Sequence, residues 1–190
     1  IREDGRPSPS GPDQYLGTAQ PDFLAGWNNT IRYGNYTLGF QIDGRFGGQF
    51  YSNTSASLDG SGVGARTLQY RESGVTLDGF NTATNTDNTT SITGQEYWGS
   101  TSSIAENYIY DQDNIRLREL SIGYQIPNTV DYGIQSASIQ LIGRNLFFFS
   151  KEAPDVDPEN MLGTAIGAQG FNSNNLPSLR SLLTLVIWVC

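Results

Sequence analysis

From Tyr36 to Phe46 the chain reads YTLGFQIDGRF, with Leu38, Phe40 and Ile42 on one parity and Thr37, Gly39, Gln41, Asp43 and Arg45 on the other. That alternation predicts a strand with one apolar and one polar face. The preceding segment, Leu24 to Tyr33, is separated from it only by Gly34 and Asn35, a two-residue hairpin loop of the kind that wants positive φ. Alternation returns between Tyr132 and Ser150, where Ile139 and Leu141 oppose Ser138 and Gln140, and the chain closes on an apolar run, SLRSLLTLVIWVC.

The stretch Asn114 to Pro127, NIRLRELSIGYQIP, breaks the pattern. Apolar residues fall on odd positions at Ile115 and Leu117, then on even ones at Leu120, Ile122, Tyr124 and Ile126, with Arg116, Arg118 and Glu119 at the changeover. Strict alternation would place charge among the apolar side chains. A single β-bulge at Arg118–Glu119 removes the conflict, because one extra residue returns all six apolar side chains to one face and turns the three charges to the other. A ladder irregularity at Arg118–Glu119 is therefore predicted.

Five strand-like segments are joined by links that run short, long, short, long: Gly34-Asn35, Gly47 to about Asp113, the PNTVD turn, and Lys151 to Pro177. Transmembrane β-barrels keep tight turns at one end and long extracellular loops at the other. Tyr33, Tyr36, Tyr124 and Tyr132 flank the short turns, as an inner aromatic girdle would, and Phe147 and Phe149 suit the outer one. Alternation alone fits a half-buried strand of a soluble sheet equally well. The link pattern favours an all-β fold: an antiparallel transmembrane β-barrel segment of about five strands with long extracellular loops. Bacterial single-chain barrels have even strand numbers of roughly eight or more, so residues 1–190 read as the C-terminal portion of a larger barrel.

Composition narrows the chemistry. Net charge is −8 with no Lys/Arg run, which argues against nucleic acid. There is no His, and the single Cys is Cys190, so neither a His/Cys metal site nor a Cys/His nucleophile can be assembled within the chain. Nothing calls for a cofactor. DVDPEN, Asp155 to Asn160, clusters carboxylates but lacks the Gly and Glu of a calcium loop, where Asn160 and Ile166 stand; a solvated loop turn is the expectation. GSGVG, Gly60 to Gly64, reads as a flexible loop. Asp59, Asp78, Asp87 and Glu96 are scattered over the long polar tract and are assigned no catalytic role. Tyr97 and Trp98 are expected as exposed loop aromatics that stack on a sugar ring or meet a lid protein, or else as a small anchor pinning the loop. On the polar face, Thr37, Gln41, Asp43, Arg45, Arg116, Arg118, Glu119, Gln125, Gln140 and Arg144 are expected to project into a barrel interior.

Four further runs carry a family resemblance. They are Pro21-Asp22-Phe23 with Gly26-Trp27-Asn28-Asn29-Thr30, Tyr33 and Gly47-Gly48; IRLRELSIGYQIP; GRNLFFFSKEAPDVDPEN; and GVTLDGFN, Gly74 to Asn81. In this order they resemble SusC/RagA-type TonB-dependent outer-membrane transporters over most of Gly17 to Arg180. The resemblance implies a bacterial outer-membrane barrel of about 22 strands around an N-terminal plug, which is absent here. It also implies import of oligosaccharides or peptides rather than catalysis, a SusD-like lipoprotein lid, TonB as the energy source, and plug contact for the interior residues. The continuous apolar run ending in Cys190 departs from the family's alternating, aromatic-ended last strand, which suggests a shifted reading frame or an artificial end after about Arg180. The alternative is a soluble or cell-surface β-sandwich that binds glycans.

Overall fold

The computed structural model describes residues 1–127, 135–161, 169–174 and 178–189, with the side chains of 182–184 left aside. Five strands, β1 (Phe23–Tyr33), β2 (Tyr36–Phe46), β3 (Asn114–Ile126), β4 (Ala137–Lys151) and β5 (Ser181–Val189), form one antiparallel sheet in the order β1-β2-β3-β4-β5. Each strand lies beside its chain neighbour, as the alternating links predicted. β4 starts at Ala137 rather than near Tyr132; Tyr132 and most of the PNTVD turn lie outside the described residues. The apolar C-terminal run pairs with β4 through Val189, while Cys190 lies outside them.

Local chemistry places the turns. Gly34 takes φ 57° between the paired Tyr33 and Tyr36, the glycine conformation a two-residue hairpin needs. At the other end of β2, Gly47 and Gly48 adopt φ 77° and 83°. A Cβ on Gly47 would lie 2.5 Å from the Asp22 carboxylate, and its N–H donates to Asp113 Oδ1 at 2.6 Å. The Gly-Gly and Pro-Asp-Phe motifs thus meet where the strand ends.

Register carries one apolar row across all five strands, through Ile31, Leu38, Ile122, Leu141 and Leu185, each exposed. Burying one such side chain is worth about 1.5–3 kcal/mol, so a row of this kind left in water is a strong drive toward lipid. The bulge falls at Arg118. Gln41 pairs with Glu119 and Ile42 with Leu117, which leaves Arg118 without a partner on β2. On the β4 side, Arg144 pairs with Glu119 and Phe147 with Leu117, so Asn145 and Leu146 span the same level. Leu117 is thereby returned to the face of Ile42, Leu120 and Ile122, where it is buried.

The connections are less featureless than their composition suggested. Two compact units divide the chain: Ile1–Ala19, Gln49–Tyr110 and Asn160–Asn175 form one, and Gln20–Gly48, Asp111–Glu159 and Leu176–Cys190 the other. The first contains helices α1 (Asn53–Gly60) and α2 (Gly94–Thr101) and a small sheet of Phe171–Asn172, Gln49–Ser52 and Ile109–Asp111. Neither helix carries an apolar stripe. Caps define them instead: the Ser52 hydroxyl accepts from Ser55 N–H, and Thr93 with Glu96 forms a capping box. Phe50 and Tyr108 are buried here. Asp59, 2 % exposed, accepts from the Tyr108 hydroxyl at 2.9 Å and from Arg66 at 2.6 Å.

Candidate functional site

Register gathers the predicted polar set onto one face of the sheet. Arg45 faces Asn114, Asp43 faces Arg116, Gln41 faces Glu119, and Thr37 faces Gly123, which in turn faces Gln140. Arg144 lies opposite Glu119 and Gln125 opposite Ser138. The bulged Arg118 joins them, because its Nε donates to Asp43 Oδ2 at 2.8 Å.

At the centre is an ion-pair network that the sequence did not show. The Arg116 side chain, 2 % exposed, donates to Asp157 Oδ2 at 2.6 Å, Glu159 Oε2 at 2.7 Å and Ser178 Oγ at 2.7 Å. Its guanidinium lies 4.1 Å from the centre of the Phe148 ring, a cation–π contact. Arg118 donates to the other Glu159 oxygen at 2.7 Å and to Asn145 Oδ1 at 3.2 Å. One carboxylate therefore bridges both guanidinium groups.

The neighbouring strand is shaped to allow this. Asn145 sits at φ 51°, and a Cβ on Gly143 would lie 2.8 Å from Leu146. The Gly-Arg-Asn-Leu-Phe motif is therefore the β4 side of the irregularity at Arg118. Asn145 Nδ2 also donates to the Leu179 carbonyl at 3.1 Å.

Two expectations need correction. DVDPEN is not a solvated turn: the Asp157 side chain is 7 % exposed and paired with Arg116. Burial pushes the Asp157 carboxyl up, but the Ser178 hydroxyl, the Glu159 N–H and Arg116 outweigh it and hold it below its ordinary value. Trp98 is not exposed: at 9 % exposure it lies on α2, with its indole N–H donating to the Gln69 carbonyl at 3.2 Å. Tyr97 packs edge-on to Trp98 and Tyr70 at 4.9 and 5.3 Å. The anchoring alternative describes Trp98.

The other polar-face residues are bound more lightly. Gln41 Nε2 donates to Asp43 Oδ1 and Gln125 Nε2 to the Ala137 carbonyl, each at 3.0 Å. Arg144 meets Glu119 at 3.0 Å but is 64 % exposed, where ion pairs contribute little.

Among the loop carboxylates, Glu96 is held down to about 2 by the Thr93 N–H, the Arg6 guanidinium and the Thr93 hydroxyl. Its folded value lies below the ordinary 4.5, so its contribution to stability is complete above that value and is lost as pH falls toward 2. Asp157 adds to the same acid-side loss. The melting temperature is expected to drop between pH 5 and 2, and Glu96→Gln to flatten that drop; an unchanged slope in the variant would remove Glu96 from the account.

Alternating faces, matched bulges and an arginine–carboxylate cluster on the polar side define a section of a transmembrane β-barrel wall with folded loops. No family model matches the chain. It is 30 % identical over 147 residues to TonB-dependent receptor P3 of Formosa agariphila, covering 76 % of this chain and 13 % of that protein. It is 27 % identical over 175 residues to TonB-dependent receptor P26 of the same organism, covering 88 % and 17 %. The RagAB peptide importer in its closed-closed state superposes with a TM-score of 0.62 at 16 % identity, over 93 % of this chain and 18 % of that one. A second structure of the RagAB peptide transporter gives 0.59 at 17 % identity, over 90 % and 17 %. In sequence the chain is similar to TonB-dependent receptors and in fold to part of the RagAB barrel, and it spans 13 % and 17 % of the length of the two curated relatives.

Proposed function

We propose that the chain supplies the C-terminal portion of an outer-membrane importer that takes up oligosaccharides or peptides, energised through TonB and closed by a SusD-like lipoprotein. The observation that carries this reading is the five-strand meander itself. Its apolar row is continuous, its opposite face is polar, and β1 and β5 end the strand order with edges suited to further barrel strands. In that setting the polar face lines the interior and meets plug or substrate. The test is uptake by cells carrying the whole transporter gene with this segment intact or deleted, with and without TonB. The expected result is uptake of an oligosaccharide or peptide that disappears on deleting either. Uptake that persists without TonB would replace the reading with a passive porin.

A further inference from the structure

The unit that contains α1 and α2 carries an open cavity of about 450 Å³, within the range of small-molecule sites. Its walls are the turn after α1, including Gly62, then Thr67, Arg71, the start of α2 from Thr93, and Trp98. Asp59 also lines it, but Arg66 at 2.6 Å and the Tyr108 hydroxyl at 2.9 Å already compensate its carboxylate.

Arg71 is different. Its Nη2 donates to the Gly62 carbonyl at 2.6 Å and to Thr67 Oγ1 at 3.2 Å, both neutral acceptors. Among the described residues it forms no ion pair, in a chain with 19 acidic side chains and 11 basic ones. Arg71 is exposed, and these two bonds hold its guanidinium at the cavity rim, with no acid paired to it among the described residues. That fork fits a carboxylate through two parallel hydrogen bonds. Gly94 and Gln95, in the first turn of α2, border the same space, and first-turn N–H groups have no intrahelical acceptor.

We propose that this cavity is a subsite for a carboxylate group, borne by an acidic sugar or by a peptide, with Arg71 as the recognising residue. The proposal goes beyond the transport reading and does not depend on it, because binding is measured on the purified whole transporter in detergent, without uptake. Trp98 lines the cavity and serves as the reporter, its signal identified as the fluorescence change lost in Trp98→Phe.

The experiment titrates sodium glucuronate, its methyl ester, glucose, and N-acetyl-glycine with its amide, and reads tryptophan fluorescence. Saturable quenching by glucuronate but not by its methyl ester or glucose is expected, with at least tenfold weaker binding in Arg71→Gln. Tighter binding of N-acetyl-glycine than of glucuronate would assign the carboxylate to a peptide, tighter binding of glucuronate would assign it to a sugar, and equal binding would show a site that reads the carboxylate alone. Equal binding of the acid and its ester, no saturable response, or undiminished binding in Arg71→Gln overturns the proposal. If Arg71→Gln melts early, the acid-versus-ester comparison on the unaltered chain decides.

Discussion

Replacing Arg116 by Ala is expected to lower the stability of the wall unit by about 3–5 kcal/mol, the cost of breaking a buried ion pair from one side. The reason lies in what the truncation leaves behind. Asp157 and Glu159 would keep their places beside the wall with one of two guanidinium groups gone, Ser178 would lose a donor, and Phe148 its cation. The measurement is the denaturant midpoint of the detergent-solubilised chain, with Arg144→Ala as the control. Arg144 is 64 % exposed, so its loss should cost no more than about 1 kcal/mol. Adding Asp157→Leu and Glu159→Leu to Arg116→Met removes the orphaned charges and should recover much of the loss. Equal midpoints for Arg116→Ala and Arg144→Ala would show that the network does not hold the segment.

The second large effect concerns the opposite face. Leu141→Arg sets a cation in the middle of the apolar row, between Ile122 and Leu185, where lipid exposure costs roughly 2–4 kcal/mol at mid-membrane. Gln140→Arg, one residue away on the polar face, carries the same charge at nearly the same height. The first is expected to cut membrane-inserted protein in the outer-membrane fraction about tenfold or more, and the second to leave it nearly unchanged. Equal loss from both would mean that the two faces do not meet different solvents, and would favour the soluble sandwich.

Features that act over a few residues were legible in advance. The parity change between Leu117 and Leu120 located the bulge, because a strand beside lipid cannot carry Arg116 and Arg118 among its apolar side chains. Gly34-Asn35 located the first hairpin. The loop unit was not legible: α1 and α2 are eight residues each, and capping, not an apolar stripe, holds them. Trp98 carried no sequence signal for burial, since its pocket comes from Gln69, Arg66 and the body of the loop. DVDPEN looked solvated because its counter-charges lie 41 and 43 residues away in the chain. A usable clue existed: two arginines on one strand face need acids nearby, and β3 and β2 together offer only Glu119 and Asp43.

The sequence by itself determined where the five wall strands lie, which face of β2, β3 and β4 is apolar, and where the ladder must slip, because alternation and turn geometry depend on neighbouring residues alone. Only the tertiary structure decided which carboxylates answer Arg116 and Arg118, which aromatic is buried, and where an unmatched guanidinium meets a cavity. Those outcomes depend on burial, and burial is set by segments far apart in the chain. Electrostatics strengthens as water leaves, so the pairs that matter most are the ones that local patterning cannot name.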